Sequence, residues 1–335
     1  MRVRYWVAVC AGAVCVALAL ILPALASAPR AFTPTNFNFL PLVAKPSGAN
    51  CARTSTGFTP LMDLGTGTYQ GYEGGLYAGG SNAPPAAYQQ VGITHTQAIQ
   101  PLDAHGQPAS AGRIVLLSIG MSNATQEFSE FKSEASPDAQ KNPLVTIVDG
   151  AEGGQDAEII KNPNAAYWGF VQSRLSASGV VSQQVQVVWL KEAIAGENKA
   201  FPLDAQQLQG DLQAIVQILE QRFPHLQVVY LASRTYGGYA TTTLNPEPYA
   251  YQSGFAVKWL IEDHRLAGDV GAWLAWGPYL WTDGLAGRSD GLVWTCADVQ
   301  SDGTHPSTSG RQKVAGLLLN FFKNDVLAKR WFRGP

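Results

Sequence analysis

The chain has 335 residues, 46% hydrophobic and 14% charged, with 23 Lys and Arg against 25 Asp and Glu and a net charge of -2. That length buries one large core, or one core and a small appendage. A slightly acidic balance argues against nucleic acid or an anionic membrane surface as the partner.

Residues 1–28 read as an export signal. Arg2 and Arg4 precede an apolar run from Trp6 to Leu22, and Pro23 with "ALASA" offers an A-x-A cleavage site after Ala28. The expected localisation is therefore extracellular or periplasmic, with retention of the run as an anchor the alternative. No later stretch approaches a membrane span. Cleavage removes Cys10 and Cys15 and leaves Cys51 and Cys296, which in an exported protein are expected to pair. Two buried free thiols are the other reading.

Residues 29–112 are rich in Gly, Pro, Thr and Asn and show no sustained period of 2 or 3.6. They read as an irregular arm packed on the main domain. The stretch "LGTGTYQGYEGG" is not a nucleotide loop, because Gly65, Gly67 and Gly71 lack the G-x-G-x-x-G spacing. It reads as a surface loop.

From residue 113 to 335 the texture is that of one α/β domain. "RIVLLSIG", "LVTIVDG", "VQVVWLKEA" and "LQVVYLAS" are nearly unbroken β-forming runs, as strands buried on both faces must be. Helical segments fall between and after them, over 204–223, 251–265 and 307–324. Strands alternating with helices imply a parallel sheet covered on both faces, whose carboxyl edge is where ligands bind.

Candidate residues lie along that edge. Ser122 follows the first strand in "SIGMSNATQEF", where a hydroxyl is exposed at a helix N-terminus; Ser122 or Asn123 could equally be a helix cap, and Asn123 with Gln126 fits a capping box. The Asn123 sequon is discounted, since a glycan there would obstruct the site. After the second strand, Gly153 and Gly154 permit a close backbone approach of the kind an oxyanion donor needs, or form a plain turn. Arg234, past the fourth strand, could hold an anionic substrate group or form a structural ion pair. Trp273, Trp276, Tyr279 and Trp281 could stack on a substrate or pack a buried strand. Near the end, "SDGTHPSTSG" sets Asp302 three residues before His305, a spacing that lets a carboxylate orient an imidazole. The other four histidines, His95, His105, His225 and His264, are scattered without metal-ligand spacing, so no metal site is expected.

Gly120-Met121-Ser122-Asn123, the Gly153-Gly154 turn and "DGTHPSTSG" together resemble the SGNH hydrolases, the GDSL-type serine esterases, and look most like their carbohydrate acetylesterase branch. The resemblance spans residues 113 to about 324. It implies a three-layer α/β/α fold with a mostly parallel, flavodoxin-like sheet, and a catalytic trio of Ser122, His305 and Asp302. The oxyanion would meet the N–H groups of Ser122 and Gly154, with Gly153 the alternative. The family's third block supplies a side-chain donor, commonly asparagine, where this chain has Lys191 and Glu192, and Met121 departs from the usual residue before the serine. The expected function is a secreted serine esterase acting on short acyl esters, including those of carbohydrates. A non-catalytic carbohydrate-binding or adhesive module on the same scaffold is the second reading, and a lipase or thioesterase the third.

Overall fold

The computed structural model describes residues 48–268 and 271–334. The expected export signal lies outside the described residues, as does the arm before residue 48. Five strands form one parallel sheet: β1 (Ile114–Gly120), β2 (Val145–Asp149), β3 (Val185–Lys191), β4 (Val228–Ala232) and β5 (Trp273–Trp276). Their order across the sheet is β2-β1-β3-β4-β5, the flavodoxin-like arrangement, with its crossover reversing between β1 and β3. Every residue of the central strands β1 and β3 is buried, which is why those segments are unbroken apolar runs rather than alternating ones.

Six longer helices accompany the sheet: α1 (Ala86–Ala98), α2 (Ser122–Ala135), α3 (Ala166–Ala177), α4 (Leu203–Arg222), α5 (Tyr249–Leu266) and α6 (Thr308–Asn324). α2 and α6 lie side by side on one face. Phe128 of α2 stacks on Trp189 of β3 at 5.4 Å between centroids, and Phe321 of α6 meets the ring of Tyr230 on β4. Right-handed crossovers put α4 and α5 on the other face, where they pack against each other. Trp273, Trp276, Tyr279 and Trp281 are at most 4% exposed, so that run is core packing around β5 and not a substrate platform.

The segment before β1 departs from the expected irregular arm. It contains α1 and a small hairpin of Thr68–Tyr69 with Tyr72–Glu73, and its Leu61, Leu76, Tyr77 and Tyr88 belong to the main hydrophobic core. It also finishes the sheet. β5 is an edge strand, and edge backbone groups need partners. The Tyr88 hydroxyl donates to the Leu274 carbonyl at 2.8 Å, and the Trp276 amide donates to the Tyr77 hydroxyl at 3.3 Å. α1 comes close because residue 92 is glycine: a Cβ there would lie 2.5 Å from the indole of Trp273.

The chain from Asn50 onward is strapped across the molecule. Asp283 accepts from the Thr56 amide (2.6 Å), the Thr56 hydroxyl (2.7 Å), the Gly57 amide (3.0 Å) and the Ser55 hydroxyl (2.5 Å). A disulfide joins Cys51 to Cys296 across 245 residues of sequence, with Cα atoms 5.3 Å apart. Closing so long a loop in the unfolded chain is worth at most about 5 kcal/mol. Reduction under native conditions is expected to lower the melting temperature by several degrees, and thiol titration of the denatured, unreduced protein should find neither Cys51 nor Cys296. An unchanged melting curve after verified reduction would show that the bridge adds no stability.

Candidate active site

The carboxyl edge beside the β1/β3 reversal is where an open α/β sheet presents its ligand crevice. β1 ends at Gly120, whose φ is +151° and whose Cβ, were there one, would lie 2.1 Å from the carbonyl oxygen of Lys191. Only glycine lets the chain leave the strand this close to β3. The turn makes Met121 the N-cap, so α2 begins on Ser122 itself. The capping box of Asn123 with Gln126 therefore does not form. Asn123 is fully buried, and its side-chain amide donates across the cleft to the Thr304 carbonyl at 2.8 Å.

Ser122 Oγ stands 2.9 Å from His305 Nε2, 183 residues away in sequence. Asp302 Oδ2 bonds His305 Nδ1 on the far side of the ring, and Asp302 Oδ1 accepts the amides of Thr304 and His305, each at 3.0 Å. A carboxylate only accepts, so Nδ1 carries the proton and Nε2 is left as the base facing the serine. Burial pushes the Asp302 carboxyl up, but the bonds from His305 and the two amides outweigh it and hold the group below its ordinary value. The side chains of His305 and Asp302 are 24% and 30% exposed, so the pair is reachable from solvent. The loop carrying them needs Gly303 at φ +72°, because a Cβ there would fall 1.8 Å from the Tyr239 carbonyl oxygen.

The turn after β2 lies over the serine. A Cβ on Gly153 would come 3.7 Å from Ser122 Cβ, and the Glu152 amide donates to the Gly120 carbonyl at 2.9 Å, clamping the turn to the end of β1. Gly154 is left-handed, at φ +77°. Among the described residues, nothing accepts from the amides of Ser122, Gly153 or Gly154.

Lys191 and Glu192 end β3 with side chains on opposite faces. Lys191 is wholly buried, and its ammonium sits on Glu127 of α2 at 2.7 and 2.5 Å. Burial pulls its pKa down to about 8, against the pull of Glu127 in the other direction. The structure thus places this ammonium on a carboxylate and not free at the open edge, because α2 supplies a counter-ion that the sequence pattern does not announce. Glu192 is also buried. Burial pushes its carboxyl well above the usual range, against the Ala193 amide, which donates to Oε1 at 2.9 Å, and the nearby charge of Arg234. Arg234 is 3% exposed and makes no ion pair among the described residues, so the structural-pair reading does not hold.

Sequence reasoning missed three further residues. Glu127 sits on a helix that reads as polar. Asp149, at the end of β2, accepts from Ser118 (2.6 Å), Thr125 (2.6 Å) and Ser129 (2.7 Å), binding β1 and the first turns of α2 to β2. Its one signal is an acidic residue at the carboxyl end of an otherwise apolar strand. The Tyr167 hydroxyl accepts from the Gly120 amide at 3.2 Å.

The five-stranded parallel sheet has Ser122 after its first strand and the Asp302–His305 loop before its last long helix, the order that the sequence resemblance implies. No protein-family model and no curated protein matches the chain. Solved structures similar to it include an Arabidopsis thaliana protein, at 14% identity over 58% of this chain and 66% of that one, with a TM-score of 0.33. A salicylyl-acyltransferase from a tetracycline biosynthetic pathway shares 14% over 63% of this chain and 54% of its own, at 0.34. The periplasmic domain of a Salmonella ser. Paratyphi A lipopolysaccharide acetyltransferase shares 13% over 72% and 95%, at 0.36. The chain thus spans between about half and two thirds of the first two structures. What the site can do follows from its own geometry.

Removing Lys191 leaves a carboxylate buried without its counter-ion. Lys191→Met is expected to destabilise the fold by about 3 to 5 kcal/mol in urea denaturation, while Glu127→Leu combined with Lys191→Met recovers most of that loss. Equal stabilities for the wild type and the single variant would mean that the pair does not hold α2 to β3.

Proposed function

We propose that the protein is a secreted serine esterase that hydrolyses short acyl esters, with acylated carbohydrate the leading substrate class, through an acyl-serine intermediate. The observation that carries the proposal is the 2.9 Å contact of Ser122 Oγ with a histidine whose other nitrogen is held by an aspartate. His305 Nε2 takes the serine proton as Oγ attacks the ester carbonyl. The resulting oxyanion falls to backbone donors, for which the acceptor-free amides of Ser122 and of Gly154 or Gly153 are the candidates. His305 then gives its proton to the leaving alcohol. Water repeats the sequence on the acyl-serine and releases the acid.

Each half-reaction passes one proton through His305, taken from Ser122 in acylation and from water in deacylation. Asp302 stays ionised throughout, because the bonds that depress its pKa are those that hold the ring.

Among the described residues no helix is long and apolar enough to cross a membrane. No group of three or more His, Cys, Asp or Glu among them is arranged to hold a metal.

Ser122→Ala should lower hydrolysis of 4-nitrophenyl acetate by about 10³-fold or more with the melting temperature kept, since the members of such a trio act as a unit. An organophosphonate should label Ser122 and no other residue. A wild-type protein that neither hydrolyses esters from acetate to palmitate nor takes the label favours the non-catalytic binding module.

A further inference from the structure

Arg234 stands two residues past β4 on the same carboxyl edge, and it is 3% exposed. Its backbone amide donates to Ser253 Oγ at 3.0 Å, but its guanidinium makes no hydrogen bond to the described chain. Nor do its nitrogens count among the sealed, unpartnered polar atoms, so the sliver of the residue left accessible includes them. A planar fork of five donors without an acceptor is an incomplete interaction.

Four carboxyl groups feel its charge: Glu127, Glu197, Glu192 and Asp302. Glu127 holds Lys191, and Asp302 holds His305 and two amides. Burial pushes the Glu192 carboxyl well above its ordinary range; its Oε1 takes the Ala193 amide and its Oε2, like that of Glu197, has no partner. Glu197 accepts from the Asn245 side chain at 2.5 Å, and burial pushes its pKa up to about 7. The guanidinium is therefore surrounded by acids and bonded to none.

A void lined by Glu197, Asp204 and Ser253 among others measures about 10 Å³, room for one water at most and for no organic anion.

We propose that Arg234 binds a carboxylate carried by the substrate, so that the preferred ester is one with a free carboxylate near its reacting carbonyl, as in an acylated uronic acid or a half-ester of a dicarboxylic acid. The inference rests on the esterase reading of Ser122. A monoanionic carboxylate suits the place better than a phosphate dianion. It matches the guanidinium fork in two parallel bonds, and the acids nearby disfavour a second negative charge.

Two substrates that differ in one end group test it: mono-4-nitrophenyl glutarate, which ends in a carboxylate, and 4-nitrophenyl valerate, which ends in a methyl. Binding of glucuronate to the Ser122→Ala protein, followed by calorimetry at low salt, gives a readout that needs no turnover. Arg234→Met is expected to lower kcat/KM for the glutarate by about 100-fold, mainly through KM, and to change the valerate by less than about threefold. Glucuronate binding should disappear in Ser122→Ala with Arg234→Met. Should Arg234→Met fail to fold, Arg234→Lys keeps the charge without the fork and should lose the glutarate preference in part.

Equal losses on both esters, or no loss on either, would overturn the proposal and leave the esterase reading standing. Glucuronate binding that depends on Arg234, in a protein without activity on any ester, would do the reverse. Glucuronate binding untouched by the substitution would also overturn it.

Discussion

An ion pair without access to water, Lys191 with Glu127, fixes where the helix bearing Ser122 meets the sheet. Burying two charges is costly enough that such a pair seldom adds net stability over a well-packed apolar pair of the same size. What it adds here is position. Lys191 ends β3, Glu127 lies one turn and a half into α2, and the carbonyl of Lys191 is the atom against which Gly120 must fit. An apolar contact would tolerate sliding of the helix, whereas two charged bonds at 2.5 to 2.7 Å do not. Asp149 braces the same helix from its other neighbour, taking Thr125 and Ser129. The first two turns of α2 are thus held from β2 and from β3 together, and Ser122 has little freedom left.

The two cations of this edge have different fates for the same reason. Lys191 is sealed beneath α2 and has a carboxylate at contact distance, so its charge is neutralised within the fold. Arg234 lies past the strand end with four acids near it and none bonded to its guanidinium, and its charge remains for something else. Two like charges near one nucleophile could not both be left free without lowering each other's pKa, and Arg234 does act to depress Lys191.

The strands of the sheet were legible because burial on both faces demands uninterrupted β-forming residues, and no other element of this chain has that texture. α4 announced itself by the apolar spacing of Leu208, Leu212, Ile215 and Leu219, all buried. α1 could not. Its buried residues are Tyr88, Gly92 and Thr96, spaced as a helix requires, but two of them are small or polar and give no apolar period. They are so because Gly92 packs on an indole and the Thr96 hydroxyl bonds back to Gly92. The Asp302 and His305 spacing was legible for the opposite reason: three residues of one loop hold the whole relationship. The partner of Lys191 is 64 residues away on a helix whose polar residues look solvated. Nothing short of the fold could reveal it. Asn123 shows the limit of a local motif. Its spacing from Gln126 suits a cap, yet the turn at Gly120 starts the helix two residues too early for it, and its amide serves the loop of His305 instead.

The described chain before β1 bears on the candidate site through the loop that carries His305. The disulfide fixes Cys51 to Cys296, nine residues ahead of His305, and the Asn50 amide bonds the Tyr239 carbonyl. That same carbonyl is what forbids a side chain at residue 303, so the strap, the loop after β4 and the Asp302–His305 turn meet at one backbone atom. From there the Thr241 amide holds the Asp302 carbonyl, and the Thr304 hydroxyl holds the Leu244 carbonyl at 3.1 Å. A shift of about 1 Å in a reacting group is enough to cost on the order of 10²-fold in rate. Loosening the strap therefore reaches the base through two short links, and its effect falls on the alignment of His305 with Ser122 before it falls on the sheet, whose central strands are held by their own burial.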